Sequence, residues 1–102
     1  MKTKETLKNT KTEQKINLIN GCFTVSEASD IVSDILKVKI NFHKLQSLSI
    51  TEGNINDPCE YDNTRINELL KSQQTTKEFF KDARLSGKKL KINSVIQISI
   101  ED

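Results

Sequence analysis

The chain has no tryptophan, one proline, one histidine, two cysteines and three glycines in 102 residues. Each scarcity removes a class of chemistry. With His43 as the one histidine, a histidine-rich metal site and a conventional catalytic triad are both out of reach within one chain. Cys22 and Cys59 show no C-x-x-C spacing, and no secretory apolar segment marks the N-terminus, so reduced thiols in the cytoplasm are expected. Neither G-x-x-x-x-G-K-[ST] nor G-x-G-x-x-G occurs, which leaves no phosphate-cradling loop. The aromatics are four phenylalanines and Tyr61, too few for an evident base-stacking platform. No apolar run is long enough to span a bilayer, so no membrane partner is expected.

Ile, Leu, Val and Phe together number 29, well above the roughly one-fifth share below which charged chains stay unfolded. At this length the chain supports one modest core. The net charge of +2 is uneven, because residues 1–15 carry five lysines against Glu5 and Glu13 and the remainder is slightly acidic. The expected organisation is a disordered basic tail over residues 1–14, followed by a single globular domain over 15–102.

Residues 15–19 alternate apolar and polar as a short strand does, and Asn20-Gly21 reads as the turn that ends it. Thr24-Val-Ser-Glu27 is a capping box, with Phe23 placed to staple onto Ala28. Ala28, Ile31, Ile35, Val38, Phe42 and Leu45 then recur at steps of three and four along one helix face, widened by Val32, Leu36, Ile40 and Leu48. Residues 36–42 also alternate strictly, as a strand would. The uninterrupted stripe and the absence of Gly and Pro over 24–52 favour a helix there.

A second helix is expected after the turn at residues 53–56. Asp57 would be its N-cap and Pro58 its first residue, and Gly87 would end it. Its stripe of Ile66, Leu69, Leu70, Phe80 and Ala83 has a polar middle over residues 72–76, so a break near residue 74 is the alternative to continuity. Residues 90–100 alternate with Leu90, Ile92, Ile96, Ile98 and Ile100 on one face, the clearest strand signal in the chain, and Ile96 and Ile98 are expected to be buried on the sheet's inner face. The expected fold is α+β in the order strand-helix-helix-strand. It would be a long antiparallel helical hairpin with a small antiparallel sheet formed by the terminal strands.

Few side chains stand out as a site. The glycine turn before Thr24 reads as a hinge, because Glu27 already places a carboxylate at the helix N-terminus where an anion would sit. A zinc site built from Cys22, His43 and Cys59 lacks paired-ligand spacing. His43 is expected at the border of the apolar stripe, partly exposed, and Cys22 as a buried, inert thiol. The carboxylates form no evident acid and base pair. No catalytic, cofactor-binding or metal-binding residue is therefore assigned.

The segments Ile16-Asn-Leu-Ile-Asn-Gly21, Lys39-Ile-Asn-Phe-His43 and Leu90-Lys-Ile-Asn-Ser94 resemble, in content and order, a group of small uncharacterised bacterial proteins. The resemblance spans most of residues 15–100 and implies no activity, substrate or catalytic residue. The functional expectation rests on the residues alone. It is a non-enzymatic interaction or self-assembly module, a homodimer in which a second copy covers the open strand edge over residues 90–100 and completes the sheet or a helical bundle, with another protein as an alternative partner. The alternative is a small nucleic-acid-associated regulator using the basic tail with Lys88 and Lys89, although a near-neutral folded part makes nucleic acid the less expected partner.

Overall fold

The computed structural model describes residues 12–101. They form β1 (Glu13–Phe23), α1 (Val25–Gly53), α2 (Glu60–Ser86) and β2 (Leu90–Ser99), the α+β order strand-helix-helix-strand. The two strands pair antiparallel as a two-stranded sheet, with the Ile100 amide donating to the Thr12 carbonyl at 2.9 Å. The chain divides into two compact units, the strand pair and the helical hairpin Phe23–Leu90.

β1 is longer than the alternation implied. It begins at Glu13, inside the segment expected to be a disordered tail; residues 1–11 of that segment lie outside the described residues. It also continues through Asn20 and Gly21, so the expected hinge is absent. Asn-Gly marks a hairpin when its backbone adopts positive φ, and among the described glycines only Gly87 does so. The change from extended to helical backbone falls instead on Thr24, at φ −65° and ψ 161°. There the capping box forms as expected. The Glu27 amide donates to the Thr24 hydroxyl at 3.1 Å, and the Thr24 amide donates to the Glu27 carboxylate at 2.9 Å. The Thr24 backbone amide, its hydroxyl and the nearby Lys89 charge hold the Glu27 carboxyl below its ordinary range.

α1 is helical throughout 36–42, which settles the strand alternative. It stops at Asn54, whose amide still reaches the Ile50 carbonyl, while its side chain accepts from Asn56 and its carbonyl from Asp57 to close a turn. α2 starts two residues later than expected. Asp57 does accept from the Cys59 amide at 2.8 Å, as an N-cap would, but Cys59 is left-handed at φ 50° and ψ 44°, and the helix begins only after it. A left-handed non-glycine residue costs about 1–2 kcal/mol. Asn63 ties this corner down by donating to the Pro58 carbonyl.

α2 runs unbroken through its polar middle. There the Thr75 hydroxyl bonds back to the Lys71 carbonyl at 2.9 Å, a use compatible with a helix interior, and does not cap a new helix. Gly87, left-handed at φ 67°, ends it as the sequence indicates.

The expected apolar stripe of α1 is covered at Ala28 and Ile31, but from Ile35 onward the hairpin packs along a different face. The buried or half-buried positions of α1 are Val25, Ala28, Ser29, Ile31, Val32, Ser33, Leu36, Ile40, His43, Ser47 and Thr51, and those of α2 are Asp62, Arg65, Ile66, Leu69, Gln73, Thr76, Phe80 and Ala83. Two consecutive layers of this interface are polar. Stepping back from the His43 and Asp62 contact in helical steps sets Ser33 near Gln73 and Ser29 near Thr76, between the apolar layers of Leu36 and Leu69 on one side and Val25 and Phe80 on the other.

The sheet differs from expectation as well. Ile96 and Ile98, expected on a buried inner face, are 39% and 51% exposed, and the buried strand residue is Ile19 of β1. By the two-residue period of a strand, Ile19 lies on the opposite face from Ile16.

Candidate functional site

Among the described residues, the buried polar pair is His43 on α1 and Asp62 on α2, with His43 only 2% exposed. The His43 Nδ1 lies 2.8 Å from Asp62 Oδ1. A carboxylate offers only acceptors, so Nδ1 is the proton-bearing nitrogen. The ring is wedged between Phe42 and Tyr61, edge-on to both, with centroids 5.2 and 5.9 Å away. Its other nitrogen, Nε2, is buried with no hydrogen-bond partner.

That enclosure decides what the pair can do. A histidine held by a carboxylate is the arrangement of a general base, but a base must reach the proton it removes. Nε2 is closed to solvent. The Cys59 thiol, the nearest candidate nucleophile in sequence terms, is directed at the Ser47 and Asp57 carbonyls, 3.6 and 3.7 Å away. The geometry is that of a structural clamp joining the two helices near their connecting turn.

The sequence placed His43 at the stripe's border, partly exposed, and the structure corrects this, because the ring is buried against Asp62 of the other helix. The signal was available in spacing. His43 continues the Leu36 and Ile40 face by a step of three, and Asp62 precedes Ile66 and Leu69 by steps of four and seven, so both polar residues occupy interface positions. Cys22, expected to be buried, is exposed on β1, and Cys59 is buried before α2. Among the described residues no group of three or more His, Cys, Asp or Glu side chains could hold a metal ion, and no helix is long and apolar enough to cross a membrane.

The feature with binding character is the outward seam of α1. Ile35, Val38, Phe42 and Leu45, the later part of the stripe expected to form the core, are 41, 69, 49 and 65% exposed. Their spacing alternates three and four residues, the a and d positions of a heptad. Leu48 continues the apolar surface, and the Lys39 ammonium sits 4.9 Å over the Phe42 ring. Single exposed apolar residues are ordinary, but a contiguous seam of them marks a contact surface. No protein family, curated protein or solved structure matches the chain.

Proposed function

We propose that the protein is a non-enzymatic self-assembly module that dimerises through the outward seam of α1. The observation that carries this reading is the run of a and d positions from Ile35 to Leu45 standing open on a helix whose other face is already packed. Among the described residues seventeen large apolar side chains are exposed and seven apolar ones are buried, so one copy leaves much apolar surface for a partner to cover.

A second copy of α1 suits the seam in charge as well as shape. Asp34 and Lys39 occupy the g and e positions beside it. In a parallel pair, Asp34 of each copy reaches Lys39 of the other, once on each edge.

The test is Val38→Lys, which sets a charge at the centre of the seam while lying on a solvent-facing position of the single chain. Dimer should be lost in analytical ultracentrifugation, and the helical circular dichroism of the monomer should be retained. A variant that dimerises as tightly as the parent would overturn the reading.

A further inference from the structure

The two polar layers inside the hairpin do not close into a core. They leave a groove of about 350 Å³ between α1 and α2, at the lower end of the roughly 300–1,000 Å³ range of small-molecule sites. Its walls are Ser29, Ser33, Gln73 and Thr76, all half-buried, and among the described residues none of these side chains hydrogen-bonds across the hairpin. Its rims carry one lysine from each helix, Lys37 and Lys77, and neither ion-pairs among the described residues. No carboxylate lines it. Gln74, which also lines it, donates to Glu78 at 3.4 Å along α2. Its apolar lining is Leu36 and Phe80 in the hairpin interior and the partly exposed Leu70.

A helical hairpin of this size gains stability by filling its interface with Leu, Ile or Val, and each methylene-scale void weakens it. Hydroxyls and amides facing one another at two successive layers forgo that gain. What the layers provide is a set of hydrogen-bond donors between two cations, beside an apolar lining. We propose that this groove binds a small molecule with one anionic head, a phosphate or carboxylate, and a short apolar tail. Lys37 and Lys77 take the head from the two rims, the Ser33 and Thr76 hydroxyls and the Gln73 amide donate to it, and the tail lies on Leu36, Leu70 and Phe80.

The groove uses the b, c and f side of α1, whereas the outward seam uses the a and d positions, so the two sites can be tested separately. The experiment is a titration of the ¹⁵N-labelled full chain with hexyl phosphate, inorganic phosphate and hexanol, followed by amide resonances. Hexyl phosphate should give saturable shifts centred on Ser33 and Gln73, and the other two compounds should bind more weakly. Replacing both lysines, as Lys37→Gln with Lys77→Gln, removes two charge-assisted contacts and should weaken binding about tenfold or more. Ser33→Leu fills the groove and should leave a folded chain that no longer responds. The proposal is overturned by the absence of saturable shifts or by equal affinity in the double lysine variant. It is equally overturned if inorganic phosphate binds as tightly as hexyl phosphate.

Discussion

Removing the Asp62 carboxylate should destabilise the hairpin out of proportion to the size of the change. The pair joins α1 to α2 at 2.8 Å in a site where His43 is 2% exposed, so Asp62→Ala strands the Nδ1–H donor away from water beside an Nε2 that already has no partner. An orphaned buried group costs about 1–3 kcal/mol, and one-sided removal of a fully charged buried pair about 3–5 kcal/mol. For this pair we expect about 3 kcal/mol, a large part of the roughly 5–15 kcal/mol that stabilises a domain. Asp62→Asn keeps an acceptor in place and should cost about 1 kcal/mol. Replacing both residues, His43→Leu with Asp62→Leu, leaves no polar group stranded and should be close to neutral. Urea unfolding of the four proteins, with the slope held constant as a check on the unfolding reaction, reads these differences directly. A cost below about 1 kcal/mol for Asp62→Ala, or a double variant no more stable than Asp62→Ala alone, would refute the clamp.

Other parts of the structure make separate demands. Thr24→Ala should lower stability by about 1 kcal/mol, the usual effect of losing an N-cap side chain, measured by thermal melting. Because folding depresses the Glu27 pKa, its contribution is present above the unfolded carboxyl pKa and fades as pH falls through the lower folded value. The stability gap between the parent and Glu27→Gln should therefore narrow on acidification, and a gap that widens would contradict the capping geometry. Cys59→Gly relieves a left-handed backbone and should be neutral or stabilising by up to about 1 kcal/mol, whereas Cys59→Val should destabilise by more than that in the same melting assay. The Ile100 amide points inward to Thr12, so the neighbouring Ser99 amide points to the outer edge of β2. Ser99→Pro should accordingly leave dimer affinity unchanged in sedimentation, and a weakened dimer would move the interface from α1 to the sheet edge.

The features legible in the sequence were those set by short-range chemistry. Thr24 and Glu27 form their reciprocal cap because both partners lie within four residues, and Gly87 ends α2 because a left-handed residue is needed at that point. The element order followed from periodicity for the same reason. The length of β1 did not, since Asn20 and Gly21 suit an extended backbone as well as a turn and only pairing with β2 decides between them. Nor did the packed face of α1. Two apolar faces run side by side on that helix, and the larger one, Ile35 to Leu45, lost to the face carrying Leu36, Ile40 and His43. The partner for His43, Asp62, is supplied by a different helix, so no window within α1 reveals it. The left-handed Cys59 was equally hidden, because Asp57 and Pro58 fit a helix start one residue after another until the tertiary corner imposes its own geometry.

Sedimentation equilibrium of the unmodified chain, from about 1 μM to about 1 mM, addresses the assembly most directly. An open heptad seam facing its own copy requires the weight-average mass to rise from 11.6 kDa toward twice that value as concentration increases. A mass that stays at 11.6 kDa across the whole range would contradict dimerisation through α1.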